Sequence, residues 1–257
     1  RWGVSIKMNK YKGLILPLLL LLFWYLLSIS STLIPSPLVV WNTTLQSFGS
    51  GLLGNHLLIS VSRVISGVLT ALLFALPLAI FTSRVTNSNF WIDPLLDFAR
   101  LTPALALLPL FLLWSDDPST AVLMVIIISA FIPIFSSAEK GFRNADIKLI
   151  EVGKNLSLPE ELIFKKIIFP FALPSLILGI RLGVTYSWRV LVASELLLTL
   201  TGLGTIFMEA HTEARADKLI MLILITGILG TLVDWFLAKI VSDWIPWHQE
   251  VTHYDGN

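Results

Sequence analysis

Six long apolar runs, at 13–30, 57–81, 98–114, 119–138, 170–199 and 218–242, alternate along the chain with short polar stretches. A helix needs about 20 apolar residues to cross about 30 Å of hydrocarbon, so the pattern predicts about six transmembrane helices. The third run is short and holds Pro103 and Pro109, which predicts a segment kinked against its neighbours. One polar stretch, 139–169, is longer than a turn and ends at Pro170 and Pro174, prolines that oppose a plain helical continuation. Within it, Asp146 is placed to cap a helix that runs to about Leu156 and is stopped by Pro159. Leu149, Val152 and Leu156 recur on one side of that helix, while Lys148 and Lys154 fall elsewhere. Such a helix fits either a lipid surface or a groove on another protein.

Composition agrees with the pattern. Apolar residues make up 55% of 257 positions and charged residues 14%, and the mean hydropathy is +0.82. A water-soluble domain of that composition would expose large apolar patches, so the chain reads as an all-α integral membrane protein. The net charge of +1 gives no basic field for nucleic acid, and the absence of cysteine removes disulfides and thiolate metal sites. His56, His211, His248 and His253 lack ligand-like spacing, so no metal site is expected. Asp116 and Asp117 with Pro118 read as a solvated turn.

Lys and Arg placement predicts orientation. Thirteen of them precede the first span, flank the second connection, fill 139–169 or, as Lys239, lie near the C-terminus, against only Arg215 and Lys218 in the alternate connections. The bias puts both termini and 139–169 in the cytoplasm, with Trp244 and Trp247 as interfacial anchors. The expected organisation is a cytoplasmic N-terminus at 1–12, a transmembrane domain at 13–242, and a cytoplasmic tail at 243–257. Residues 1–7 precede Met8 and are read as a candidate non-native extension. Lys7, Lys10 and Lys12 before the first run also suit a secretory signal peptide; an uncleaved first span is the preferred reading.

The remaining three cations, Arg63, Arg181 and Arg189, fall with Glu195 in or near predicted spans, where ionisable groups are costly and face an interior. Arg181 and Glu195 share a helix face but are about 21 Å apart along the axis, too far to pair. Arg63, about 9 Å down the second span from its outer end, reaches a depth similar to that of Glu195 near the outer end of the fifth. An Arg63–Glu195 ion pair is therefore expected.

Several pieces in order carry a resemblance: Leu33-Ile34-Pro35-Ser36-Pro37, Ser62-Arg63 with Gly67, Arg100 with Pro103 and Leu108-Pro109, Phe131-Ile132-Pro133-Ile134, and Gly141-Phe142-Arg143-Asn144. These continue as Glu151-Val152-Gly153 with Leu156-Ser157, Ile168-Phe169-Pro170, Leu173-Pro174, Gly179-Ile180-Arg181, Trp188 to Glu195, and Gly202-Leu203-Gly204. Together they resemble the permease subunit of binding-protein-dependent ABC importers, in particular the sulfonate/nitrate/taurine class. The resemblance implies a type I ABC importer permease fold with a cytoplasmic coupling (EAA) helix at Asp146, Leu149, Glu151, Val152, Gly153, Leu156 and Ser157.

It further implies a second permease copy in a homodimer, two ATP-binding subunits that hold ATP and Mg, and a periplasmic or lipid-anchored extracellular substrate-binding protein meeting the outer loops 31–56 and 200–217. The setting is a bacterial-type inner membrane, with membrane lipid around the spans. The sequence has no G-x-x-x-x-G-K-[ST] phosphate loop, so ATP is expected to be handled by the partner; the chain has no catalytic residues or cofactor of its own. Gly153 and Ser157 depart from the family pattern. Gly153 is expected to weaken the helix by about 1 kcal/mol relative to Ala, and Ser157 to make a left-handed turn harder.

On this reading Arg63, Trp188, Arg189 and Glu195 mark the translocation path, with Arg189 facing it and attracting a small anion. The bland alternative is that Arg189 snorkels or bonds backbone carbonyls at a helix interface. Other readings are an importer permease for a thiamine-precursor-like heterocycle, an intramembrane enzyme and a non-transporting membrane scaffold.

Overall fold

The computed structural model describes residues 12–31, 33–85 and 88–244, with side chains at 15–31, 33–85 and 90–239. The N-terminal stretch 1–11, Trp247, His248, His253 and most of the tail lie outside the described residues. Every regular element described is helical. In order these are α1 (Lys12–Ser30), α2 (Pro37–Gly49), α3 (Leu52–Arg84), α4 (Ser88–Leu101), a 3₁₀ turn (Ala104–Leu107), α5 (Leu108–Trp114), α6 (Pro118–Arg143), α7 (Ile147–Asn155), α8 (Glu160–Ile163), a π turn (Phe164–Ile168), α9 (Phe169–Leu198), α10 (Leu203–Thr212) and α11 (Ala216–Trp244).

Among the described residues, four helices are long and apolar enough to cross a membrane: α3, α6, the joined Glu160–Leu198 helix and α11. The third predicted span is a bent pair instead, with α4 and the 3₁₀–α5 segment meeting at 87°. Proline explains the break. Pro103 has no N–H and keeps Thr102 out of helical geometry, and its own backbone is extended (φ −64°, ψ 115°). The first predicted span is α1, apolar over 14–27 and exposed at most positions from 15 to 30.

The joint expected at Pro170 and Pro174 is helical throughout. A π turn just before Pro170 widens the backbone, with the Phe169 N–H bonding back to Phe164 O, and this accommodates the ring without ending the helix. The result is one 39-residue helix from Glu160 to Leu198. The outer stretch 31–56 carries a short helix, as Pro35, Ser36 and Pro37 before 38–54 suggest: α2, capped by Ser36; the outer stretch 200–217, read as a polar connection, carries α10, which packs Leu203, Ile206 and Ala210 inward. Asp117, expected in a plain solvated turn, caps α6 by accepting from the Ser119 and Thr120 amides; the Thr120 hydroxyl adds to them, and its carboxyl is held below the usual range.

The centre of the molecule is α6, sandwiched between α3 and α9. Ala71, Ala75 and Ala79 are fully buried at four-residue spacing on α3, and Ala121, Val125, Ala130, Ile134 and Ala138 are buried along α6. Apolar burial does not drive association in lipid, so close backbone approach through small residues must do it. Gly179 on α9 is such a contact, because a Cβ there would sit 2.9 Å from Pro133 O and 3.1 Å from Ile134 Cα. A second, smaller core of Val40, Leu53, Leu203, Ile206, Met221 and Leu222 joins α2, α10 and the starts of α3 and α11 at the end of the bundle away from α7.

Candidate functional site

At the α7 end, Asp146 caps the helix by accepting from the Lys148 N–H at 2.9 Å. Glu151 is exposed, and Ile147, Leu149, Val152 and Leu156 leave 71%, 48%, 53% and 68% of their surfaces uncovered. Four uncovered apolar side chains beside Lys148 and Lys154 form an amphipathic surface that the chain itself does not bury. Gly153 faces the other way. Its Cα lies against the foot of the long helix, where a Cβ would come 3.0 Å from Ile167 Cδ1 and 3.2 Å from Ile163 Cγ1. The glycine expected only to weaken α7 thus brings it close to that foot. Ser157 stands at φ 53°, in the left-handed region. Leu158 N–H bonds Gly153 O at 3.1 Å and Ser157 N–H bonds Lys154 O at 2.9 Å, the two bonds of a Schellman ending.

Between α3, α9 and α11 lies an open cavity of about 970 Å³. Val61, Val64, Val68, Val184 and Val192 make its walls apolar, and Trp188, Arg189 and Asp234 are among its polar-bearing lining residues. Trp188 donates its indole N–H to Thr226 O at 3.1 Å, fixing the ring across α11. Arg189 is exposed, and among the described residues it makes no hydrogen bond or ion pair, so its guanidinium has five donors available at the cavity.

Arg181, two turns back on α9, is engaged with Asp234 of α11 through a two-pronged pair, Nε to Oδ1 at 2.5 Å and Nη2 to Oδ2 at 2.6 Å. Asp234 escaped the sequence reading, although a lone carboxylate inside the apolar run 218–242 was a usable signal.

The expected Arg63–Glu195 pair is present, at 2.6 Å. Glu195 is fully buried and accepts also from Ser60 Oγ at 2.8 Å and Gly204 N–H at 3.2 Å. Arg63 reaches Thr201 O as well, and Ser60 Oγ accepts from Leu203 N–H at 2.9 Å. A Cβ on Gly202 would overlap the Glu195 carboxylate, and one on Gly204 would overlap its backbone. His56, expected in a loop, sits in the first turns of α3, with Nδ1 3.1 Å from Gly202 N. Arg63, Trp188, Arg189 and Glu195 were expected along one path; Trp188 and Arg189 line the cavity, while Arg63 and Glu195 form a separate buried knot beside α10. Another buried carboxylate, Glu139 at the α7 end of α6, pairs with Arg143 at 2.8 Å and was not singled out from the sequence.

Comparison with known proteins adds a family to this geometry. Residues 67–244 match the model of the binding-protein-dependent transport system inner membrane component. SsuC of Bacillus subtilis (strain 168), named as a candidate permease for aliphatic sulfonates, is 31% identical over 95% of this chain and 89% of its own. The taurine transport system permease protein TauC of Escherichia coli (strain K12) is 28% identical over 98% of this chain and 94% of its own. Among solved structures, an inward-facing form of the MetNI methionine ABC transporter matches with a TM-score of 0.64 at 16% identity, covering 76% of this chain and 96% of that one. That likeness shows the fold, the expected type I ABC importer permease arrangement.

Proposed function

Since the chain belongs to the family of inner membrane components of binding-protein-dependent transport systems, we propose that it carries a small organic or inorganic anion across the membrane. The observation that carries the proposal is Arg189: a guanidinium without a hydrogen-bond or ion-pair partner among the described residues, on the wall of a largely apolar cavity between three helices. A cation in that setting is expensive to keep and favours a negatively charged occupant. The relatives are named for aliphatic sulfonates and taurine, which share an anionic sulfonate group for a guanidinium to bind, although taurine also carries an ammonium.

Energy comes from outside the chain. The uncovered apolar face of α7 docks into a groove on an ATP-binding subunit, two of which serve a pair of permease copies and hold ATP and Mg. The α10 end, with α2 beside it, faces outward and receives the substrate-binding protein; both termini and α7 lie in the cytoplasm, on the side marked by the excess of Lys and Arg.

Transport of taurine, an alkyl sulfonate and nitrate by the reconstituted importer tests the reading. Arg189→Ala should lower uptake at least tenfold with ATP hydrolysis retained, and Arg189→Lys should restore part of it. Unchanged anion uptake by Arg189→Ala, or efficient uptake of a cationic heterocycle by the unaltered complex, would refute it.

A further inference from the structure

The polar groups of the cavity between α3, α9 and α11 are nearly all engaged already. Three threonines line it, and each donates its hydroxyl to the backbone of its own helix: Thr185 to Arg181 O at 2.9 Å, Thr226 to Leu222 O at 2.8 Å and Thr231 to Gly227 O at 2.8 Å. The Trp188 indole N–H goes to Thr226 O. Arg189 and Asp234 are the charged residues of the lining, and the Arg181 guanidinium holds both oxygens of Asp234. Among the described residues, Arg189 is therefore one positive charge left unmatched, and the lining presents no unmatched carboxylate beside it. An ammonium carried into this place would give up its water for hydroxyl oxygens and apolar walls, which is costly for a charge.

The apolar part of the cavity is long. Its lining runs from Val61 to Leu69 on α3, from Val184 to Val192 on α9 and from Ile223 to Leu237 on α11, about 12 Å of helix on the first two and about 21 Å on the third. Its volume of about 970 Å³ is at the upper end of the range of about 300–1,000 Å³ found for small-molecule pockets. A three-oxygen inorganic ion would match Arg189 but cover almost none of these walls. Gly227 keeps α11 open close to Arg189. Trp188, the neighbour of Arg189, bonds the oxygen of Thr226, the neighbour of Gly227, and a Cβ on Gly227 would meet nothing within 4 Å.

We propose that the cavity selects a monoanion with a linear apolar tail over zwitterions such as taurine and over small inorganic anions such as nitrate, and that Gly227 leaves the room for the tail. This rests on Arg189 as the anion site and narrows what that site accepts. One matched charge and a buried tail favour the chosen class; an unmatched ammonium or uncovered walls count against the others.

Equilibrium binding to the permease with its ATP-binding subunits in nanodiscs tests this, with the substrate-binding protein left out so that the permease alone selects. Labelled hexane-1-sulfonate is the probe, Arg189→Ala gives the background, and unlabelled methanesulfonate, propane-1-sulfonate, taurine and nitrate compete. Propane-1-sulfonate and taurine differ only in a methyl against an ammonium. Each buried methylene raises affinity about fourfold, so propane-1-sulfonate should compete about tenfold more strongly than methanesulfonate or nitrate, and taurine about tenfold more weakly than propane-1-sulfonate. Gly227→Leu should weaken the probe about tenfold and leave methanesulfonate within about twofold, because the new side chain takes space from the tail and not from the head. Taurine, methanesulfonate or nitrate competing as strongly as propane-1-sulfonate overturns the proposal while leaving Arg189 as the anion site, as does probe affinity unchanged by Gly227→Leu. Probe binding equal in Arg189→Ala and the unaltered chain refutes the anion reading itself, and the proposal with it. Should Gly227→Leu fail to assemble, the competition series on the unaltered chain decides.

Discussion

Gly179 is where the α6–α9 contact can be measured. In Gly179→Ala the new methyl would stand 2.7 Å from Ser137 Cβ, 2.9 Å from Pro133 O and 3.1 Å from Ile134 Cα. Two of the three neighbours are backbone atoms, so no rotamer change relieves the overlap. Restoring ordinary contact requires the helices to part by about 0.5 Å, which loosens the packing above and below the site. Overpacking of this kind costs about 1–3 kcal/mol, while replacing a helical glycine with alanine returns about 1 kcal/mol, leaving a net loss of about 1 kcal/mol and up to about 2. Gly227 on α11 is the control: nothing lies within 4 Å of its Cβ position, so Gly227→Ala should show only the gain. The two variants should therefore differ by about 2 kcal/mol, or about 4–8 °C in melting temperature for a chain of this size. Thermal unfolding followed by near-ultraviolet circular dichroism in lipid nanodiscs measures this. If Gly179→Ala melts at or above the unaltered chain, the close contact of α6 and α9 does not exist as described.

Asp234→Ala should strand Arg181 and loosen α11 from α9. A double-mutant cycle with Arg181→Ala, read by thermal unfolding, should give a coupling of about 1 kcal/mol, and a coupling indistinguishable from zero would mean that lipid or water competes fully for both groups. Ser157→Gly should stabilise the end of α7, because a residue with a Cβ pays about 1 kcal/mol to hold φ 53°; the readout is slower amide exchange at Leu158, whose N–H closes the Schellman ending on Gly153.

Much of the fold was legible because lipid allows few backbone solutions. Apolar runs long enough to span had to be helices, and α3, α6, the long helix and α11 fall where the runs do. Less legible were the places where proline acts against its neighbours. Pro103 breaks the third span to 87°, whereas Pro170 is absorbed by a π turn, and no local pattern separates these two outcomes. Packing decides which helix can afford a widened turn. The ordered α10 had a usable signal, Leu203, Ile206, Phe207 and Ala210 at helical spacing, but ten residues are too short to span, and only the second core shows what that face packs against.

For the candidate site, sequence alone determined the cap at Asp146, the amphipathic helix behind it and the Arg63–Glu195 pairing, since helical rise and span direction suffice to put two charges at one depth. Only the tertiary structure decided that Arg181 belongs to Asp234 and that Arg189 has no such partner among the described residues, because both facts depend on how α11 is rotated against α9. It also decided what two glycine positions are for: Gly153 brings α7 against the long helix, and Gly202 makes room for the Glu195 carboxylate. A chain records which residues are small or charged; which face of one helix meets which face of another is fixed by packing across distances that no local periodicity encodes.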